Sequence, residues 1–194
     1  MKIDHQNIFF ISDLHLGHSK ILEYDKRPYK DINHMHEELI KNWNSVVKTD
    51  SIVFYLGDLY MSIPDEKVKE ILNRLNGQIH FIMGNHDKYH RIKETGRFES
   101  IYGILSILVK DKDGRNGYQQ IEMCHFPILV WDKHHRGSWH LHGHCHNSLR
   151  GDVFYERKVI DVGCNGIDYF PISYQRVKNI MKERIISKID HHEF

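Results

Sequence analysis

The sequence predicts an α/β fold of two packed β-sheets with helices outside. Strand and helix patterns alternate through the first half, which argues for a sheet with crossover connections. The second half changes to a hairpin and further short strands, and this mixture points to a second sheet. A length of 194 residues fits one domain with its own core, so 1–194 is read as a single unit.

Residues 7–12 (NIFFIS), 52–56 (IVFYL) and 79–83 (IHFIM) are short apolar runs of buried-strand type. Between the first two, Met35, Leu39, Trp43, Val46 and Val47 mark one face of a helix, with Asn33 as its candidate cap. Over 64–75, Val68, Ile71, Leu72 and Leu75 form a second stripe. Pro64 suits the first turn of that helix, and Gly77 suits its end. Residues 104–109 and 118–124 flank KDKDGRNG, a polar stretch with two turn dipeptides, and read as a hairpin. Strands are expected at 139–142 and 159–162. A last helix is expected from Ser173, a good N-cap, with Val177, Ile180 and Met181 turned inward.

Charge and composition narrow the function classes. The 27 basic and 26 acidic residues leave a net charge of +1, without the broad basic footprint that grips duplex nucleic acid. A nucleotide or a short single strand entering a small pocket remains compatible. No apolar run approaches the roughly 20 residues of a membrane helix, and MKIDHQNIFFISD lacks a signal-peptide layout, so a cytoplasmic location is expected. Cys124, Cys145 and Cys164 are an odd set without paired spacing, which argues against a disulfide framework. The 17 histidines are the unusual feature, and their clustering carries the chemistry.

Five segments end in metal-type ligands. The first strand runs into Asp13-Leu14-His15, the second into Gly57-Asp58, the third into Gly84-Asn85-His86-Asp87. The second hairpin strand runs into His125, and a later strand into Gly143-His144-Cys145-His146. In open α/β sheets, ligands bind beyond the carboxyl ends of strands. In an extended segment, residues two apart face the same side, so Asp13 with His15, and His144 with His146, are expected to grip one ion together. Cys145 is then turned away, as a small buried residue. Asp58 can bridge two metals through its two oxygens, and Asn85 offers an amide oxygen. The glycines let the backbone bend and approach closely. Oxygen and imidazole donors suit manganese, iron or zinc.

The order D-x-H, G-D, G-N-H-D, lone His, G-H-x-H resembles the calcineurin-like metallophosphoesterases, particularly the small stand-alone enzymes of bacteria and phages. DLHLGH at 13–18, Arg27-Pro28 and the late NGIDYFPIS stretch at 165–173 add to that resemblance. It implies a double β-sandwich flanked by helices in αββα layers. It also implies two divalent ions, manganese foremost, with iron, zinc or nickel as alternatives. Asp13, His15, Asp58 and His146 would hold one ion, and Asp58, Asn85, His125 and His144 the other. His86 would face the scissile phosphate as a catalytic group with Asp87 beside it, and a hydroxide between the ions would attack phosphorus. His18, Arg27 and Arg136 are candidate substrate contacts.

The expected activity is hydrolysis of phosphate esters, with diesters of nucleotides or short nucleic acids favoured over monoesters. The protein-phosphatase branch carries GDxxDRG and GNHE; here Leu59-Tyr60-Met61-Ser62 follows Asp58, and Asp87 replaces the Glu. A phosphomonoesterase (nucleotidase or protein phosphatase) and a scaffold of the same fold without catalysis are the alternatives. A scaffold would be expected to lack some of the ligands, and all are present. The expected partner is a small phosphoester, of a kind that includes nucleotides and single-stranded nucleic acid, with no membrane and no obligate protein partner.

Overall fold

The computed structural model describes residues 1–149 and 153–186. The chain opens on β1 (Lys2–Ile3) and lays down β2 (Ile8–Ile11), a run of β-branched and aromatic residues suited to a buried strand. Helices α1 (Ile21–Tyr24) and α2 (Ile32–Val46) carry it to β3 (Ile52–Tyr55). α3 (Asp65–Asn73) leads to β4 (Gln78–Ile82), and α4 (Tyr89–Glu94) leads to β5 (Phe98–Tyr102). β2, β3, β4 and β5 are parallel neighbours in that order. The alternating first half therefore folds as its pattern predicts.

β6 (Ile104–Arg115) and β7 (Tyr118–Cys124) then pair as an antiparallel hairpin. β8 (Trp139–His142) and β9 (Val159–Asp161) add parallel to β7, and β1 closes the far side against β6. Finally β10 (Ile172–Ser173) returns antiparallel to β2, followed by α5 (Tyr174–Lys182). The result is two five-stranded sheets flanked by helices. No described helix is long and apolar enough to cross a membrane.

Burial explains the strand patterns. Leu105, Ile107 and Val109 are buried, while Ser106, Leu108 and Lys110 between them are more exposed, so β6 has one core face. β2 and β3 are buried along almost their whole length, as expected of strands covered on both faces. Phe10 stacks on Phe54, and Tyr55 on Phe81, across neighbouring strands. Each large apolar side chain fully withdrawn from water contributes about 1.5–3 kcal/mol.

Two local expectations are corrected. The N-cap of α2 is Asp31, whose carboxylate accepts from the backbone N–H of His34 at 2.9 Å; Asn33 lies inside the first turn. A carboxylate two residues earlier reaches the free amide that Asn33 cannot reach from within the helix. The hairpin loop is also shorter than its polarity suggests. β6 runs through KDKDG to Arg115, and Asn116-Gly117, both at positive φ, make the turn. Asp111 in that stretch is buried against Lys178 and Tyr174, which accounts for a charged residue inside a strand. Ser173 caps α5 as expected, accepting from the N–H of Arg176.

Candidate metal centre

The carboxyl ends of β2, β3, β4, β7 and β8 meet along one edge of the two sheets. Backbone hydrogen bonds stitch them together. Asp13 N–H donates to the Gly57 carbonyl at 3.0 Å, His15 N–H to that of Asp58 at 3.2 Å, and Gly143 N–H to that of His125 at 2.9 Å. A bridge between Ser12 and Gly163 links the two sheets directly. So does the His125 ring, whose Nδ1 lies 2.7 Å from the Leu56 carbonyl at the end of β3.

The backbone here is not extended. Asp13, His15, Asp58, His144 and His146 all have positive φ, a left-handed conformation that costs a non-glycine residue roughly 1–2 kcal/mol. Alternation along a strand, the expected reason for the pairing of Asp13 with His15 and of His144 with His146, is therefore replaced by successive left-handed turns. Asp13 and His15 nonetheless share a donor group, whereas His144 and His146, expected to grip one ion together, fall in different groups. Glycine is required at two close approaches. A Cβ on Gly84 would lie 2.2 Å from Asp58 Oδ1, and one on Gly143 would lie 2.1 Å from Ser12 Oγ and 2.6 Å from Asp13 Oδ2.

Two groups of donors result. Asp13, His15 and His146 form one, with ligand atoms within 4.8 Å of one another, and Asp58, His125 and His144 form the other. Asn85 Oδ1 joins the second, 3.1 Å from His125 Nε2 and 3.0 Å from His144 Nδ1. Asp58 Oδ2 stands between the groups, 3.4 Å from His125 Nε2 and 3.9 Å from His15 Nε2. All seven residues expected to hold metal are thus brought together.

The electrostatics suit cations. Asp13 is fully buried, and burial pushes its carboxyl up to about 7 against the pull of His146 and His125. Burial and the neighbouring His146 push His15 down to about 3. His15 Nε2 faces His146 Nε2 at 3.1 Å. A reluctant buried carboxyl and two converging ring nitrogens are an unfavourable set alone and a favourable one around a divalent ion. Burial also raises Asp58, but the hydrogen bond and charge of His125 outweigh it and hold Asp58 low.

The remaining expected residues separate. His86 stands at the mouth, its side chain 44% exposed, with Nε2 3.9 Å from Asp58 Oδ2 and its backbone N–H on Asp58 Oδ1 at 3.0 Å. Asp87 turns the other way. Its Oδ2 accepts from the N–H groups of Asp58 and Gly84, both at 2.8 Å, and its Oδ1 from that of Leu59 at 3.0 Å. It braces the Asp58 loop, not the His86 ring. His18 packs edge-on against His15 with ring centres 5.9 Å apart and so belongs to the rim. Arg27 does not. It is 4% exposed, and its guanidinium donates to the carbonyls of Asp13 and Leu14 and to the carboxylate of Asp25. Arg136 lies before β8, at the strand end opposite the cluster.

Sequence reasoning missed Asp25. Its carboxylate takes the Nδ1 of His146 at 2.8 Å, which leaves Nε2 facing the centre, the arrangement by which a carboxylate fixes a metal-binding histidine. Nothing in local spacing signals it, because 121 residues separate the two. Cys145 is turned away from both donor groups, toward His142 and Asp161. Burial pushes its thiol up to about 11, and both Asp161 oxygens hold backbone N–H groups of Asn147 and Gly163.

The sequence matches the model of the calcineurin-like phosphoesterase family over residues 6–162. The chain belongs to the calcineurin-like phosphoesterases. Similar proteins include the uncharacterized protein MJ1445 of Methanocaldococcus jannaschii, 36% identical over 95% of this chain and 97% of that protein. The Gene 66 protein of Mycobacterium phage L5 is 26% identical over 81% of this chain and 86% of its own. The crystal structure of a protein of unknown function, AQ665 from Aquifex aeolicus, superposes with a TM-score of 0.69 over 89% of this chain and 98% of that one, at 22% identity; it shares the fold. A calcineurin-like phosphoesterase with these donor groups is a metal-dependent phosphoester hydrolase.

Proposed function

We propose that this calcineurin-like phosphoesterase is a dinuclear phosphodiesterase acting on nucleotides or short nucleic acids. Asp13, His15, Asp58 and His146 would hold one ion, and Asp58, Asn85, His125 and His144 the other. Manganese is the first expectation for this donor set, with iron, zinc or nickel as alternatives. When bound, the two ions supply an acidified water as nucleophile and neutralise charge developing on the phosphoryl oxygens. Asp25 and the Leu56 carbonyl orient His146 and His125 toward the centre. His86 would pass a proton to the leaving oxygen, a role supported by its exposure beside Asp58.

The observation that carries the diester preference is the burial of Arg27. A monoester dianion gains more than a diester monoanion from an arginine clamp, and Arg27 is withdrawn beneath the site onto backbone carbonyls. Arg74 and Arg91 are engaged elsewhere, by Glu37 and Asp65. Two exposed rings border the donor groups. Tyr24, 67% exposed, lies beside His18, and Phe126, 44% exposed, packs edge-on against His144. Such rings suit the flat face of a base. The aromatic residues Tyr60 and Trp131, in contrast, are buried.

The test is catalytic efficiency on matched aryl diester and monoester substrates with manganese. The diester is expected to be favoured by about tenfold or more. A clear monoester preference would overturn the assignment and point to a nucleotidase or small-molecule phosphatase.

A further inference from the structure

Arg136, which the metal centre leaves out, belongs to a second cavity. That cavity has a volume of about 510 Å³ and is lined by Lys2, Arg115, Lys133 and Arg136, with Leu108 and Tyr118 as its apolar wall and no carboxylate in its lining. Leu108 lies opposite Gln120 in the hairpin, and its neighbours Ile107 and Val109 are fully buried on the other face. The cavity therefore sits on the outer face of the β1–β6–β7 sheet. From Gln120 to His125 the chain runs five residues, about 16 Å of strand, so the cavity is separate from the metal centre.

Four cations converge here in a chain of net charge +1. Arg115 and Arg136 are exposed, and among the described residues neither guanidinium has a hydrogen-bond or ion-pair partner. Arg27, Arg91, Arg97 and Arg157, by contrast, each hold a carboxylate or a backbone carbonyl. The two lysines are braced. Lys133 donates to Gln120 Oε1 at 2.9 Å and pairs with the Asp132 carboxylate at 3.5 Å, and Lys2 lies over the Tyr118 ring at 5.2 Å. Braced lysines with unengaged arginine forks form a preorganised anion site.

We propose that this cavity binds a compact organic polyphosphate of the nucleoside di- or triphosphate class. Its volume falls in the range of small-molecule sites. The arginine forks match phosphate oxygens, and Leu108 and Tyr118 offer apolar surface to a nucleoside. A nucleic-acid strand would need the basic lining to continue. The adjoining cavity shares Arg115 and Arg136 and adds Lys158 and Lys182, but it also brings in the carboxylates of Asp111 and Asp113 around Lys178, so the lining free of carboxylates is confined to the first cavity, the length of a compact ligand.

The test is calorimetric titration of the metal-loaded protein with a non-hydrolysable ATP analogue, with inorganic tripolyphosphate and with a single-stranded oligonucleotide. In the Asp58→Asn background, where the metal centre is disabled, the analogue is expected to bind at one site and to weaken about 100-fold when Arg115→Ala/Arg136→Ala is added, from two lost charge-assisted contacts. Binding should persist in Asp58→Asn, and hydrolysis of an aryl diester should be unchanged in the double arginine variant. Circular dichroism and an Arg115→Lys/Arg136→Lys variant, which should retain part of the binding, exclude misfolding as the cause. No binding to the wild-type protein would overturn the proposal. Loss in Asp58→Asn with retention in the double variant would place the ligand at the metal centre and overturn it too. Tripolyphosphate binding as tightly as the analogue would overturn the nucleoside assignment, and an oligonucleotide binding more tightly through the same arginines would replace the compact ligand with a strand.

Discussion

His86 and Asp87 are neighbours in the chain with different work in the fold. His86 reaches solvent beside Asp58, while Asp87 gathers three backbone N–H groups beneath it. His86→Ala is accordingly expected to keep both metals and lose on the order of 10²–10⁴ in turnover. Elemental analysis beside steady-state kinetics checks it; loss of a metal would make His86 a ligand. A second residue-scale expectation concerns His140, which is fully buried and held down to about 3 by burial. Its Nε2 accepts from the N–H of Ile128 at 3.0 Å, so its Nδ1 carries the proton toward the Glu122 carbonyl. Unfolded, this ring takes a proton near pH 6.5; folded, it stays neutral to about pH 3. Its contribution is therefore complete above pH 6.5 and declines as pH falls below that, by about 1.4 kcal/mol per unit for one proton. Urea unfolding at pH 7 and pH 5 should show a smaller decline in His140→Asn; an equal decline would contradict the assignment. Of the residue roles, those set by local spacing were readable. Asp25 and Arg27 were not, because their work is defined by contacts that only the folded loop creates.

At the scale of elements, the site is a set of strand ends that stop abruptly. Left-handed residues at Asp13, Asp58 and His144 turn the chain back directly after its strands, and strain of this kind gathers where function demands an exact geometry. The glycines beside them make room. Gly143→Ala would place a methyl group against Ser12 and Asp13. It is expected to destabilise the fold by about 1–3 kcal/mol and to empty the site built on Asp13 while the other holds metal better. Metal content read together with thermal melting checks this, and unchanged occupancy would contradict it. The central strands were readable because they are short and apolar, with Gly57 closing β3 and Gly77 and Gly84 bounding β4. β5 (FESIY) was not, since its exposed and half-buried positions carry no clear alternation. β1 and β10 are two residues each, too short for any period to register. Alternation paired Asp13 with His15, which share a donor group, but wrongly paired His144 with His146, which the fold divides between the two groups; left-handed turns are invisible in residue type unless glycine occupies them.

For the whole molecule, each sheet supplies part of the centre. β2, β3 and β4 deliver Asp13, His15, Asp58 and Asn85 from one sheet, and β7 and β8 deliver His125, His144 and His146 from the other. Burying a carboxyl as reluctant to ionise as Asp13 makes sense if cations complete the junction. The order of the blocks along the chain made the convergence legible before the fold was known. Asp58 belongs to the His125–His144 group and also lies 3.9 Å from His15 of the other, which makes it the residue on which the proposed sharing of a carboxylate turns. The decisive measurement is metal content and turnover of Asp58→Asn against the wild-type protein under saturating manganese. The account predicts two ions per wild-type chain, and at most one ion with no measurable turnover in the variant. Two tightly held ions with full turnover in Asp58→Asn would contradict it.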